Sequence, residues 1–133
     1  MVFADTSGFV AAFDAADAAH TAASQAWQAF AKARKKLVTT QLVVAETVTL
    51  VRRRAGWEAS RRVGEAILKS RAIEVVQLNQ EEFLAAWREF VRSGDPKMSL
   101  CDATSFIVMR DRGIAEAFTL DHHFRDAGFE LIV

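Results

Sequence analysis

The chain is predicted to form an α/β domain in which a mainly parallel sheet of four to five strands is flanked by helices. Short apolar runs recur along the sequence, and most are followed by a stretch whose apolar residues have helical spacing. Strands that alternate with helices usually pair in parallel, because each helix carries the chain back to the same edge of the sheet. The sequence shows no repeat, linker or low-complexity tract, which favours one domain over residues 1–133.

The strands are predicted from runs of three or four residues that are apolar or β-branched. The first run stands at the N-terminus, the next two carry most of the β-branched residues, and the last two close the chain. We predict strands at Val2–Ala4, Leu37–Thr40, Ile73–Val76, Phe118–Leu120 and Leu131–Val133.

The helices are predicted from apolar residues three and four positions apart. An alanine-rich stretch breaks near Asp14–Asp17 into two helices, Gly56 separates the next two, and Gly113 ends the last. The loop Ser93–Pro96 holds the only proline. We predict two helices within Phe9–Lys36 and one each at Leu42–Arg54, Trp57–Ser70, Gln80–Arg92 and Asp102–Arg112.

Composition places the chain among globular proteins. It has 133 residues, of which 51% are hydrophobic, enough to bury a core. The formal net charge is zero, so any attraction to nucleic acid must come from local patches. The single cysteine, Cys101, excludes an internal disulfide and fits a reducing compartment. With no stretch apolar enough to span a bilayer and no basic leader, we expect a cytoplasmic protein without a membrane partner.

Four acidic residues stand in surroundings that carboxylates usually avoid. Asp5 and Asp121 each close an apolar run, Asp102 opens a helix, and Glu46 lies among apolar residues inside another. In a parallel sheet, side chains beyond the carboxyl ends of the strands converge. Any one of these aspartates alone is more often a helix cap or a turn residue. The four together favour a shared site.

Converging carboxylates repel one another unless a cation joins them. All-oxygen ligands without a Cys/His pair at zinc spacing favour Mg²⁺ or Mn²⁺. Such an ion binds phosphate oxygens and activates water, so the predicted chemistry is phosphodiester hydrolysis.

Four segments resemble the PIN-domain ribonucleases, specifically the VapC-type toxins of toxin–antitoxin systems. They are DTSGFVAAFD at 5–14, VVAETVTL at 43–50, SLCDATSFIVMRDRGI at 99–114 and AFTLDHHFRDAGFELI at 117–132. The resemblance covers nearly the whole chain and implies a three-layer PIN-like domain. It also implies an Mg²⁺- or Mn²⁺-dependent endoribonuclease that acts on RNA, is held inactive by a cognate antitoxin and forms a homodimer.

By this resemblance, the acidic quartet is catalytic and metal-binding. Asp5 and Asp102 are the expected direct ligands, and Glu46 and Asp121 act through water or on a second ion. The resemblance also points to two small polar residues, Thr6 and Ser105, as lining the same pocket, and to the segment Asp17–His20, without assigning it a role.

Basic and aromatic residues offer candidate RNA contacts. Arg52, Arg53 and His122 are possible RNA-binding residues. A solvated helix face is an equal alternative for the arginines, and simple exposure in a loop is preferred for the pair His122–His123. A solvated helix face is preferred for the cluster Lys32–Lys36, and packing in a dimer or antitoxin groove is preferred over base stacking for Trp57. Trp27 and Trp87 are predicted to be core residues.

Three other functions stay open at this point. The first is a non-catalytic RNA- or protein-binding module that holds a structural metal ion. The second is a hydrolase built on Cys101, a histidine of the pair His122–His123 and an aspartate. The third is a metal-dependent phosphatase, against which the absence of an Asp-x-Asp after the first strand argues.

Overall fold

A computed structural model describes all residues from Met1 to Val133 as five strands and seven helices. All strand pairs are parallel, and the strand order is β3-β2-β1-β4-β5. The strands are β1 (Val2–Ala4), β2 (Leu37–Thr40), β3 (Ile73–Val76), β4 (Glu116–Phe118) and β5 (Glu130–Leu131). The helices are α1 (Thr6–Phe13), α2 (His20–Lys32), α3 (Gln41–Ala55), α4 (Trp57–Leu68), α5 (Gln80–Ser93), α6 (Leu100–Arg112) and α7 (His122–Asp126). The predicted α/β class and its parallel sheet are confirmed.

The largest local differences from prediction lie near the C-terminus. β4 ends at Phe118 rather than continuing to Leu120, because the N–H of Leu120 donates to the side chain of Ser7. β5 ends at Leu131, two residues before the predicted end at Val133. The short helix α7 was not predicted.

The sheet is the centre of the core. β1 lies in the middle of the sheet, and all three of its residues are fully buried. Aromatic side chains fill the space between the sheet and the helices; among them, Phe30 packs edge-on against Phe118 and Phe106 edge-on against Phe124. None of the seven helices combines the length and the apolar character that a bilayer crossing requires.

One of the three tryptophan predictions needs correction. Trp27 packs against the rings of Phe9, Phe13 and Phe118 beside the core, as expected. Trp87 is 47% exposed and stacks on Phe90, because its face of α5 has no partner within the chain. Trp57 is 62% exposed at the start of α4, so its packing in a dimer or antitoxin groove stays a prediction.

Candidate active site

Five carboxylates line one cleft of about 330 Å³. β1 leads directly into Asp5, and β4 leads into Asp121 three residues after its end. Helix α3, which follows β2, carries Glu46, and α6 carries Asp102. Because β2, β1 and β4 are parallel neighbours, the residues that follow them meet at one edge of the sheet. The fifth acid, Asp17, comes from the loop before α2.

Asp5 is the most buried acid of the cleft, at 4% exposure. Its Oδ2 accepts hydrogen bonds from the hydroxyl of Thr119 at 3.0 Å and from the backbone N–H of Ser7 at 3.4 Å. Burial is the main cause that raises the pKa of Asp5 to about 7. The negative charge of Asp102 adds to the rise, and that of Glu46 adds less. The ionised form of Asp5 is therefore disfavoured until a cation joins it.

Two hydroxyls fix the spacing between the first and last acids of the quartet. Ser7 Oγ and Thr119 Oγ1 are 2.9 Å apart and share a hydrogen bond. The backbone N–H of Asp121 donates to Thr119 Oγ1 at 3.1 Å, and Thr119 in turn donates to Asp5. Neither hydroxyl was predicted as a site residue. The one signal in the sequence is that each stands two positions from a quartet aspartate.

Asp102 is held by the N-terminus of its own helix. Ser99 caps α6 with its hydroxyl, which accepts from the N–H of Asp102 at 3.0 Å, and Asp102 Oδ2 accepts from the N–H of Ser99 at 3.0 Å. The side chain of Asp102 is nonetheless buried. Burial is the main cause that raises the pKa of Asp102, and the negative charges of Asp121 and Glu46 raise it further. The hydrogen bonds with Ser99 lower this pKa but do not cancel the rise.

Glu46 is exposed, so its interpretation as a carboxylate within an apolar helix face is wrong. Its apolar neighbours Val43 and Val44, and Thr47 one residue further on, turn toward the core. Glu46 lies at the margin of this buried face and lines the cleft. Its charge contributes to the raised pKa values of Asp5 and Asp102.

The pair His122–His123 lies at the start of α7 and not in a loop, and its two members differ. His122 is exposed. His123 is buried, with Nδ1 2.7 Å from Asp121 Oδ1 and Nε2 3.1 Å from Asp95 Oδ2. Burial opposes the charged ring, but the hydrogen bond and charge of Asp121 and those of Asp95 outweigh it and raise the pKa of His123. The expectation that both histidines are simply exposed is wrong for His123.

The ligand atoms of Asp121, His122 and His123 all lie within 4.8 Å of one another, close enough for a metal. Each ring nitrogen of His123, however, already faces a carboxylate oxygen. This arrangement fits a role for His123 in holding Asp121 better than a role as a ligand.

The two predicted supporting residues differ in position. Thr6 lines the cleft, and its hydroxyl is buried without a hydrogen-bond partner. Ser105 is fully buried and donates to the carbonyl of Cys101 at 3.0 Å. It does not line the cleft, because its hydroxyl bonds back into the preceding turn of α6. Its predicted place in the pocket is therefore corrected.

Two cations line the acidic cleft, Arg54 near the end of α3 and Lys97 in the loop before α6. Arg53 lies beside Glu46 in a neighbouring shallow cavity of about 440 Å³, whereas Arg52 lines neither. The arginine cluster thus reaches the site through Arg54 rather than through both predicted arginines. Lys97 was not predicted, although it stands two residues before the cap of α6.

Two lysines of the cluster Lys32–Lys36 form ion pairs on the protein surface. Lys35 and Lys36 pair with Glu116 and Glu74, which lie toward the starts of their strands and so away from the cleft. These contacts fit the preferred interpretation of Lys32–Lys36 as a solvated surface rather than an RNA-binding patch.

Cys101 lacks the partner that a thiol nucleophile needs. Burial, followed by the charges of Glu46 and Asp5, raises the pKa of its thiol. A thiol that keeps its proton is a poor nucleophile. The ring nitrogens of His123 face carboxylates rather than the thiol, so the cleft contains no thiolate–imidazole pair.

The donors of the cleft fit a hard divalent cation. Its anionic groups are all carboxylates, and none of the quartet forms an ion pair with a lysine or arginine. The unpartnered hydroxyl of Thr6 adds a neutral oxygen. Mg²⁺ and Mn²⁺ prefer oxygen ligands of this kind.

Comparison with known proteins agrees with this geometry. The family model described as the PIN domain matches residues 2–130. The 23S rRNA-specific endonuclease VapC20 of Mycobacterium tuberculosis is 37% identical over 129 residues, which cover 97% of this chain and 95% of that protein. The crystal structure of M. tuberculosis VapC20, a sarcin–ricin loop cleaving toxin, superposes with a TM-score of 0.88 and 34% identity. That match covers 97% of this chain and 96% of the other.

The chain belongs to the PIN-domain family. The matches to VapC20 confirm the resemblance to the VapC-type toxins of that family seen in the sequence.

Proposed function

We propose that this chain cleaves RNA with Mg²⁺ or Mn²⁺ held by Asp5, Glu46, Asp102 and Asp121. The observation that carries the proposal is the meeting of four carboxylates in one cleft without a lysine or arginine ion pair. Two of them, Asp5 and Asp102, are buried and have raised pKa values. Buried acids without a counter-charge are destabilising unless a ligand supplies that charge.

The residues of the cleft have distinct roles in this proposal. Asp5 and Asp102 are the direct ligands, and Glu46 and Asp121 orient water or hold a second ion. When bound, the divalent ion supplies positive charge to the scissile phosphate and lowers the pKa of water. Thr119 and Ser7 keep Asp5 oriented through their hydrogen bonds. Arg54 offsets part of the negative charge that would otherwise repel RNA.

The sarcin–ricin loop of 23S rRNA is the substrate we propose. The support is the similarity to VapC20 along almost the full length of both chains. A toxin with this target would act in the cytoplasm.

A cognate antitoxin and a second copy of the chain are the proposed protein partners. An apolar groove of about 380 Å³ runs from Val10 and Phe13 to Val63 and reaches the cleft at Arg54, which supports an antitoxin that covers both. On α5, the exposed side chains of Leu84, Trp87 and Val91 form an apolar stripe. Such a stripe supports the homodimer.

The test is cleavage of ribosomal RNA by purified protein with Mg²⁺ or Mn²⁺, with EDTA, and with the variant Asp5→Asn. The matched control is Asp111→Asn, because Asp111 is an exposed aspartate of α6 outside the cleft. We expect one cut within the sarcin–ricin loop that requires metal, is lost in Asp5→Asn and persists in Asp111→Asn.

Two results would contradict the proposal. Cleavage that persists in EDTA would place the activity in another site. Metal-dependent stabilisation without any cleavage would favour a binding module that holds a structural ion.

A further inference from the structure

The loop between α5 and α6 is tied to the catalytic edge by a single buried side chain. His123 lies between Asp121, which belongs to the acidic quartet, and Asp95, which belongs to the loop. Its Nδ1 is 2.7 Å from Asp121 Oδ1, and its Nε2 is 3.1 Å from Asp95 Oδ2. We call this Asp121–His123–Asp95 arrangement the histidine clip. It joins two segments that are 28 residues apart in the sequence.

The loop end of the clip is a tight turn. The N–H of Met98 donates to the carbonyl of Asp95 at 3.3 Å, and Pro96 takes the second position, where its fixed φ suits a turn. Asp95 Oδ1 accepts from the N–H of Lys97 at 2.9 Å. The two oxygens of Asp95 therefore have separate tasks: Oδ1 shapes the turn, and Oδ2 faces His123.

The turn determines where Lys97 stands. Lys97 is its third residue, and its side chain lines the acidic cleft. It forms no ion pair, although five carboxylates line the same cleft. The chain then enters Ser99, which caps α6 and holds Asp102. Lys97 is therefore held near the quartet on both sides: Asp95 before it is linked to Asp121 through His123, and Ser99 after it is hydrogen-bonded to Asp102.

We propose that Lys97 is a substrate-binding residue that contacts an RNA phosphate at the cleft, and that His123 and Asp95 are the positioning residues that hold it there. The proposal rests on the endoribonuclease function proposed above. An unpaired ammonium at the rim of an acidic site suits a phosphate next to the scissile one, because the metal-binding carboxylates alone would repel the backbone. A lysine on a free loop would also lose the backbone entropy of that loop on binding RNA, whereas the clip orders the loop beforehand.

The proposal predicts that loss of Lys97 changes KM and leaves kcat nearly unchanged. Lys97→Met should raise KM about tenfold, the effect of losing roughly one charge-assisted contact, and leave kcat within about twofold. It should also lower the slope of log affinity against log salt by about one. Asp95→Ala should reproduce both effects without touching Lys97 itself. The control is Lys69→Met, which removes an exposed lysine that directly follows α4 and lies outside the cleft.

The two halves of the clip can be tested separately. Asn places an amide donor near the position of Nδ1, so His123→Asn keeps a donor for Asp121 and loses the reach to Asp95. Gln places its amide near the position of Nε2, so His123→Gln does the opposite. We expect His123→Asn to raise KM and His123→Gln to lower kcat.

The deciding experiment is a double-variant cycle on RNA cleavage with Lys97→Met, Asp95→Ala and the pair of them. RNA binding is measured in parallel by fluorescence anisotropy over a salt series. If Asp95 acts through Lys97, the double variant resembles Lys97→Met alone. Additive effects on KM, or an unchanged salt slope in Lys97→Met, would overturn the proposal. Asp95 and Lys97 are both exposed, so these variants are expected to fold, as melting temperatures would verify.

Failure of this proposal is distinguishable from failure of the proposed function. If the wild-type protein cleaves no RNA, the proposed function fails. If it cleaves RNA and Lys97→Met matches it in KM and salt slope, only the role of the clip and Lys97 fails.

Discussion

Thr119 donates its hydroxyl hydrogen to Asp5 Oδ2 at 3.0 Å, although the two residues are 114 positions apart in the chain. Thr119 follows β4 and Asp5 follows β1, and these strands are parallel neighbours. The bond partly opposes the effect of burial on Asp5, because a hydrogen bond to a carboxylate favours its charged form. The sheet register therefore sets the chemistry of the central acid.

Replacing Thr119 with valine should weaken metal binding more than it weakens the fold. Valine keeps the shape of threonine but donates nothing to Asp5, so the carboxylate ionises less readily. We expect a loss of stability of about 1 kcal/mol and a clear rise in the Mn²⁺ concentration needed for half-maximal activity. Thermal melting and a Mn²⁺ titration measure the two effects. Thr21→Val, at an exposed position of α2, is the control, and equal metal requirements in both variants would contradict the role given to Thr119.

The metal-free protein should become less stable as pH rises from about 4 to about 8. The pKa of Asp5 rises from 3.8 to about 7 on folding, so between these values the folded state holds a proton that the unfolded state has released. Stability falls with pH wherever the folded state binds more protons. Asp102, whose pKa is also raised, adds to the same trend. Saturating Mn²⁺ should reverse most of the loss at high pH, because it binds the ionised acids.

Melting curves in EDTA across that range, for wild type and Asp5→Asn, measure the effect. Asparagine has no proton to release, so the variant should show a flatter dependence on pH. Equal slopes for the two proteins would show that Asp5 is not responsible.

Gly8 should tolerate no side chain. A Cβ on Gly8 would lie 2.2 Å from the carbonyl oxygen of Phe118, so the first turn of α1 would have to move away from β4. That movement would also separate Asp5 from Thr119. We expect Gly8→Ala to cost about 1–3 kcal/mol of stability, the usual range for overpacking, and to lower activity further through the site.

Gly64→Ala is the matched control for this change. A Cβ there meets only a methyl group of Val48 at 3.2 Å, and alanine favours the helix. Denaturant unfolding of both variants should show a much larger loss for Gly8→Ala. Comparable losses would mean that the contact with Phe118 is not the cause.

The sequence predicted the parts of the site that depend on strand ends and missed those that depend on loops. Asp5 and Asp121 follow apolar runs, and parallel strands bring such positions to one edge whatever the details of packing. The exposure of Glu46 was misjudged because an apolar stretch of sequence covers more than one face of a helix: Val44 and Thr47 are buried, whereas Glu46 is exposed. Lys97 and the clip through His123 depend on how the α5–α6 loop folds back, and no periodic pattern encodes that contact.

Arg54, rather than Arg52, should be the arginine of its cluster that matters for RNA. Arg54 lines the acidic cleft, whereas Arg52 points to neither cavity near the site. We expect Arg54→Gln to weaken RNA binding several-fold and to lower the salt slope by about one, as expected for the loss of roughly one phosphate contact. Arg52→Gln removes the same charge from the same helix and should change neither. Anisotropy titrations in the Asp5→Asn background, which avoids cleavage, measure both variants. An equal weakening by the two changes would mean that the cluster acts as a diffuse positive field, and the specific place given to Arg54 would be wrong.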